Sequence, residues 1–206
     1  MNQRRTLFIA LGLGLTAGLA AALLFLTRPG PAEDPGVTII RPAAAIDAFR
    51  LEDQRGAAFD SARLQGKWSL LFFGYTHCPD VCPTTLSTFR RIHELLGPLN
   101  RDAQYVFVSV DPERDTAEQR GKYASYFNPE FLGVSGAHAE LTKLVRSLGV
   151  YYRHGEPTGG GGYLVDHSAG VFLINPEGRM QALFSAPHDA RRMAAALREI
   201  MGQKKS

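Results

Sequence analysis

The chain has 206 residues, of which 45% are hydrophobic, so it is long enough for one well-packed domain and an additional segment. Three of its 23 basic residues lie within the first 29 positions, which hold no acidic residue, and the other 20 balance the 20 acidic residues. A near-neutral domain without a basic stripe is not expected to bind nucleic acid.

The N-terminal segment predicts membrane attachment. Residues 1–5 carry Arg4 and Arg5, and residues 6–27 are predicted to form a transmembrane anchor, because about 20 apolar residues span a bilayer core of roughly 30 Å. A cleavable signal peptide is the alternative, although its apolar region usually has only about 7–15 residues. Since two arginines precede the span and only Arg28 follows it closely, residues 1–5 are expected in the cytoplasm and the rest outside.

The remaining chain is predicted to form a tether and one domain. Residues 28–45, rich in Pro, Gly and Ala, are predicted to be an extended tether, and residues 46–203 a single domain. Hydrophobic periodicity predicts the domain's elements in this order: a hairpin at 49–60, a buried strand at 68–75, a helix at 84–96, a buried strand at 105–111, a helix at 117–126, a short strand at 131–136, a helix at 138–149, a hairpin at 170–184 and a helix from 190 to about 201. This alternation predicts an α/β fold around a mixed central sheet.

Four local signals support these boundaries. Thr116 and Gln119 have the spacing of a capping box, and Gly149 is expected to close the helix that precedes it. The stretch 175–178, Asn-Pro-Glu-Gly, predicts the turn of the second hairpin. Asp189 is expected to cap the last helix.

The two cysteines, Cys78 and Cys82, follow a predicted buried strand and lie at the start of a predicted helix. Three residues separate them, where a thioredoxin-type site has two. Helix N-terminal amides favour thiolates, so the pair is compatible with a redox dithiol or with part of a metal site. A structural disulfide is the third interpretation, but a bridge across so short a loop adds little stability.

A metal site with two thiolates needs a third donor, and the histidines are candidates. His167 lies beside Asp166 at the mouth of a hydrophobic strand, downstream of the Gly-rich residues 159–162. The other histidines have ordinary explanations as surface, loop or helix-start residues: His77, His93, His138, His154 and His188. Two methionines are soft enough to bind copper, but they are expected to pack in the core or to lie on the face of the last helix: Met180 and Met193.

Four segments of the chain resemble the SCO/SenC family of copper-binding proteins, which help to assemble cytochrome c oxidase. They are FFGYTHCPDVCPTTL, VSVDPERDT, LGVYY and YLVDHSAGVFLINPEGR, in the family's order, and the resemblance covers nearly all of residues 46–201. It implies a thioredoxin-like fold with an extra β-hairpin. It also implies that Cys78, Cys82 and His167 are the copper ligands, with supporting roles for Asp80 and Asp111.

The function implied by this resemblance is that of a membrane-anchored copper metallochaperone. It would receive Cu(I) or Cu(II) from an upstream periplasmic donor and deliver it to the dinuclear site of cytochrome c oxidase subunit II. The alternative is a thiol-disulfide oxidoreductase that reduces the cysteines of that site, or a peroxidase-like or redox-signalling relative. Since the sequence has no Arg- and Ser-rich amphipathic leader, the expected location is a bacterial inner membrane, with the domain in the periplasm.

Overall fold

The computed structural model describes residues 36–156 and 162–203. The strands within these ranges are β1 (Val37–Ala44), β2 (Arg50–Glu52), β3 (Ala58–Asp60), β4 (Trp68–Gly74), β5 (Ala103–Ser109), β6 (Leu132–Val134), β7 (Tyr152–His154), β8 (Val165–His167), β9 (Val171–Ile174) and β10 (Met180–Phe184). The α-helices are α1 (Val81–Leu96), α2 (Ala117–Phe127), α3 (His138–Leu148) and α4 (Ala190–Gln203), and a 3₁₀ helix, Gly97–Asp102, follows α1.

A mixed six-stranded sheet forms the centre of the domain, in the order β1-β10-β9-β4-β5-β6. Strands β4, β5 and β6 run parallel to one another, whereas β9 pairs antiparallel with β4, and β10 and β1 continue that antiparallel half. Two short ribbons, β2-β3 and β7-β8, lie outside this sheet. The predicted α/β fold with a mixed sheet, flanking helices and an extra hairpin is confirmed.

Strand β4 is buried along its whole length because helices cover both faces of the sheet. Its side chains alternate between two cores, as the pleat of a strand requires. Leu70 and Phe72 pack in the core that contains residues of α1, α2 and α4, whereas Leu71 and Phe73 pack in the core that contains residues of α3 and the β2-β3 ribbon. Burying such side chains stabilises the fold by about 1.5–3 kcal/mol each.

The predicted local signals are present in the structure. Thr116 forms the complete capping box with Gln119, and Gly149 ends α3 with a left-handed φ of 67°, which a residue without Cβ adopts without strain. The side chain of Asp189 accepts a hydrogen bond from the Arg192 amide at the start of α4. The predicted core positions of Met180 and Met193 are confirmed, since both are buried.

The tether predicted over residues 28–45 needs correction at its C-terminal end. Residues Val37–Ala44 form strand β1, which pairs with β10 from Val37 opposite Phe184 to Ala44 opposite Met180. A free extended segment and an edge strand have nearly the same backbone dihedrals, and Pro42 is tolerated in an edge strand. Composition therefore does not distinguish the two, and the domain includes residues before the predicted boundary at 46.

The predicted transmembrane anchor at 6–27 lies outside the described residues. Along 36–156 and 162–203, no helix has the length and apolar character needed to cross a membrane.

Helix α1 begins three residues earlier than predicted, at Val81 rather than Thr84. Pro83 is consequently the third residue of the helix. It is accommodated there because the first amides of a helix have no intrahelical acceptor, so the missing N–H breaks no hydrogen bond. This start places Cys82 inside the first turn of α1, with its side chain in the core.

Candidate metal centre

Three side chains from two distant parts of the sequence meet at the carboxyl end of β4. Cys78 lies in the loop after β4, Cys82 in the first turn of α1, and His167 at the end of β8. The Cys82 Sγ and His167 Nε2 atoms are 3.3 Å apart, and one donor atom from each of the three residues lies within 4.8 Å of the others. Within the described ranges, this is the one group of three or more His, Cys, Asp or Glu donors arranged so closely.

The loop between β4 and α1 sets the position of the two sulfurs. The Cys78 amide donates to the Tyr75 carbonyl at 3.2 Å, and the Cys82 amide donates to Cys78 Sγ at 3.4 Å. The latter is one of the amides that a helix start leaves without an intrahelical acceptor. The sulfur of Cys78 therefore occupies the place that an anion takes at a helix N-terminus. The two cysteines are not joined in a disulfide in the structure.

The two thiols have opposite acid strengths. A hydrogen bond from the Cys82 thiol is the largest cause that lowers the pKa of Cys78 from its ordinary value of 9.0, and the backbone of Asp80 acts in the same direction. The pKa of Cys82 is raised by that same hydrogen bond and by burial. The site therefore favours the thiolate form at the half-buried Cys78 and the protonated form at the fully buried Cys82.

The ring of His167 is oriented from several sides. Its Nδ1 lies 3.1 Å from the Ser168 carbonyl oxygen, so a hydrogen bond there places the ring proton on Nδ1 and leaves the Nε2 lone pair facing the sulfurs. The rings of Phe72 and Tyr75 contact the imidazole edge-on, with centroids 5.9 and 6.0 Å away. Burial raises the pKa of the Tyr75 hydroxyl, and the backbone of Val165 in β8 acts in the opposite direction.

Gly74 leaves the space that the buried sulfur occupies. A Cβ atom at this position would lie 2.5 Å from Cys82 Sγ and 3.1 Å from a ring carbon of Phe107. A contact of 2.5 Å does not occur between unstrained atoms, and one of 3.1 Å is tight. Only glycine at the end of β4 therefore allows the thiol of Cys82 to approach the sheet this closely.

The remaining histidines lie outside the cluster and have partners of their own. His93 Nε2 is 2.9 Å from Glu130, His138 Nε2 is 3.8 Å from Glu113, and His77 Nδ1 is 3.6 Å from Asp115. His188 Nε2 is 2.7 Å from the Ala169 carbonyl, and burial lowers its pKa. His154, expected in the Gly-rich loop, belongs instead to β7, where its ring contacts Tyr163.

A sequence model of the SCO1/SenC family matches residues 38–202, which is most of the chain. The chain belongs to the SCO1/SenC family. It is 33% identical over 195 residues to the mitochondrial SCO2 homologue of Bos taurus, an alignment covering 92% of this chain and 73% of that protein. It is 33% identical over 202 residues to an SCO2-like protein of Rickettsia conorii, covering 95% of this chain and 98% of that protein.

Solved structures of this family share the fold. The copper-bound ScoI of Bradyrhizobium japonicum superposes with a TM-score of 0.69 at 40% identity, covering 75% of this chain and 99% of that one. The apo Sco1 protein of Thermus thermophilus gives a TM-score of 0.73 at 38% identity, covering 83% and 99%. These matches support the thioredoxin-like fold that the resemblance implied for this SCO1/SenC protein.

Two residues near the candidate metal ligands, Arg114 and Asp115, are not identified by the sequence prediction, whereas Asp80 and Asp111 are. Asp111, expected to have a supporting role, is fully buried and accepts from Tyr163 and Arg114, whereas no role was predicted for Arg114 or Asp115. Asp80 precedes α1 without a side-chain capping bond. The signal that could have identified Arg114 and Asp115 is the charged stretch DPERDT (residues 111–116), which directly follows a buried strand. Charged residues at the end of such a strand must find partners.

Proposed function

We propose that this SCO1/SenC protein is a copper metallochaperone that binds copper through Cys78, Cys82 and His167. The observation that carries the proposal is the meeting of two sulfurs and one imidazole nitrogen within 4.8 Å, in a family whose solved members include copper-bound structures. In this function copper is the cargo that the protein carries and releases, rather than a resident cofactor.

The donor set fits this cargo. Thiolate sulfurs are soft ligands that suit Cu(I), and an imidazole nitrogen also serves Cu(II). The His167 Nε2 lone pair already faces the sulfurs, and Cys78 already has thiolate character. Thiol ligands lose their protons when they bind copper, so copper uptake releases protons and weakens as the pH falls. Three protein donors also leave room for a ligand from a recipient protein, as transfer requires.

The proposed recipient is the dinuclear copper site of cytochrome c oxidase subunit II, and the proposed source is an upstream periplasmic copper donor. Both follow from the family resemblance, which associates such proteins with oxidase assembly. The apolar run at residues 6–26 and the arginines before it support anchoring in a bacterial inner membrane, with the domain in the periplasm.

Copper binding by the full-length protein tests the ligand assignment. We expect one copper ion per chain for the wild type, measured by metal analysis after desalting under reducing conditions. Loss of that copper is expected for Cys78→Ser, Cys82→Ser and His167→Ala, and His93→Ala is the control, since His93 pairs with Glu130 outside the cluster. Full copper loading of the three ligand variants would refute the assignment.

The acid strengths of the cysteines favour a second candidate function, that of a thiol-disulfide oxidoreductase. A half-buried thiolate at Cys78 can attack a disulfide, and Cys82 is close enough to resolve the mixed disulfide. The two functions differ in their need for His167, which dithiol exchange does not use. If His167→Ala supports oxidase assembly as well as the wild type while the cysteine variants fail, the reductase function is the correct one.

A further inference from the structure

The loop between β5 and α2, residues 110–116, touches both chain segments that carry the candidate ligands. On one side it contacts Thr76, two residues before Cys78. On the other side it contacts Tyr163, four residues before His167. We call residues 110–116 the β5-α2 loop.

Asp115 is the contact of this loop with the cysteine segment. Its side chain is fully buried, and both carboxylate oxygens accept hydrogen bonds. Oδ2 accepts from the Thr76 amide at 2.9 Å and from Ser109 Oγ at 2.5 Å, and Oδ1 accepts from Thr76 Oγ1 at 2.6 Å. Thr76 is thus held by its backbone and its side chain at once, which fixes where the chain enters the turn that carries Cys78.

Arg114 is the contact of the loop with the histidine segment. Its guanidinium carbon lies 3.5 Å from the centroid of the Tyr163 ring, and one terminal nitrogen donates to the Tyr163 carbonyl at 2.9 Å. Its Nε donates to Asp111 Oδ2 at 2.5 Å, and Asp111 Oδ1 accepts from the Tyr163 hydroxyl at 2.7 Å. Polar and stacking contacts together hold Tyr163 against the β5-α2 loop.

We propose that the β5-α2 loop assembles the metal centre before the metal arrives, with Asp115 and Arg114 as positioning residues. Asp115 places the cysteine segment and Arg114 places the histidine segment, so the three donors meet although 85 residues separate Cys82 from His167. The inference rests on the proposed copper function. Groups that orient metal ligands typically change metal affinity by roughly 10- to 100-fold when they are removed.

The cysteine side of this proposal is tested with Asp115→Asn. An amide keeps the size of the side chain but loses the charge and replaces one acceptor oxygen with a donor, so it cannot accept from the Thr76 amide, Ser109 Oγ and Thr76 Oγ1 together, as the carboxylate does. We expect Cu(I) binding, measured by competition with a chromophoric chelator, to weaken by about tenfold or more. In the apo protein, hydrogen exchange of the Thr76 amide is expected to accelerate.

Asp53→Asn is the matched control. Asp53 is also buried, and its Oδ1 accepts from the amides of Arg55 and Ala57 in the β2-β3 turn, away from the cysteines. It is expected to lose stability without losing copper affinity. If Asp115→Asn does not fold, Thr76→Val supplies the same test, since it removes the hydroxyl that donates to Asp115 and leaves the carboxylate in place.

The histidine side is tested with Arg114→Met, against Arg153→Met. Arg153 is exposed and pairs with Asp166 at 3.2 Å, next to His167 but outside the hydrogen bonds that join Arg114 to Tyr163. Arg114→Met is expected to alter the nitrogen hyperfine couplings in the electron paramagnetic resonance spectrum of the Cu(II) form, because the segment that carries His167 loses its contacts with the β5-α2 loop at Tyr163. Arg153→Met is expected to keep the wild-type spectrum.

The outcomes separate this inference from the proposed function. A wild-type protein that binds no copper overturns the proposed function, while Thr76 amide exchange in the apo protein still decides whether Asp115 holds the cysteine segment. The inference alone would be overturned if Asp115→Asn and Arg114→Met had the same copper affinities and spectra as their controls and the exchange of the Thr76 amide were unchanged.

Discussion

Replacing Gly74 by alanine tests how closely the cysteine thiol must approach the sheet. The added Cβ would lie 2.5 Å from Cys82 Sγ, 3.1 Å from a ring carbon of Phe107 and 3.3 Å from a ring carbon of Phe72. All three neighbours are fully buried, so each can move only by displacing other parts of the core. The sulfur is the smallest of them, and it is the atom expected to move.

The size of the effect follows from the contact distances. Non-bonded atoms prefer about 3.5–4.0 Å, so the Cys82 sulfur has to shift by about 1 Å. Overpacking of this kind typically costs about 1–3 kcal/mol of folding free energy. Metal ligands must lie within about 0.2 Å of their ideal distances, so a shift of this size is expected to weaken copper binding by about tenfold or more.

Two measurements on Gly74→Ala distinguish the loss of the site from a loss of stability. Urea denaturation gives the folding free energy, and chelator competition gives the Cu(I) affinity of the folded protein. Gly136→Ala is the control, since its Cβ would lie 2.9 Å from Leu51 in the β2-β3 ribbon, away from the cysteines. Wild-type copper affinity in folded Gly74→Ala would show that the close approach of Cys82 to the sheet is not required, and the reasoning would be refuted.

Three further predictions address the thiols, the last helix and the edge strand. Iodoacetamide is expected to alkylate Cys78 before Cys82 at pH 7. Cys82→Ala is expected to move the pH of half-maximal Cys78 alkylation upward, because it removes the hydrogen bond that lowers the pKa of Cys78. An unchanged pH profile of alkylation would contradict this prediction. Asp189→Ala is expected to unfold at a lower urea concentration than the wild type at pH 7. A hydrogen bond from the Arg192 amide holds the pKa of Asp189 in the folded protein below 3.8, its ordinary value. The stabilisation by Asp189 is therefore present above that pH and disappears as the pH falls further. A difference in urea midpoint between Asp189→Ala and the wild type that persists undiminished at pH 2 would contradict this prediction. A chain that begins at residue 46 is expected to unfold at lower urea than one that begins at residue 36, since it lacks β1, and equal midpoints would argue against a structural role for that strand.

The elements that the sequence predicts correctly are those whose signal is local. The continuous apolar run of β4 and the capping box at Thr116 are visible in adjacent residues, and both are present. The edge strand β1 escapes prediction because its stability comes from pairing with β10, about 140 residues away, rather than from its own pattern. The start of α1 is predicted three residues too late for a different reason, because Pro83 in the first turn obscures where the helix begins.

The sequence predicts the metal-donor residues of the candidate site, but not the residues that hold those donors in place. Cys78 and Cys82 are marked by their type and position, and His167 by its motif. The space beside Gly74 and the buried carboxylate of Asp115 depend on which side chains meet across the sheet, which spacing along the chain does not encode. The chemistry of such a site is therefore easier to predict from sequence than its preorganisation.

The way the fold holds His167 bears on the choice between copper binding and dithiol exchange. Both functions use a thiolate at Cys78 and a neighbouring thiol at Cys82, so the cysteines alone do not separate them. The imidazole, however, is oriented by the Ser168 carbonyl and by the rings of Phe72 and Tyr75. Thiol-disulfide exchange gains nothing from a nitrogen lone pair fixed toward the sulfurs, whereas a metal ion needs it as a third ligand. This orientation is the physical reason to favour the copper function and to make His167→Ala the deciding variant.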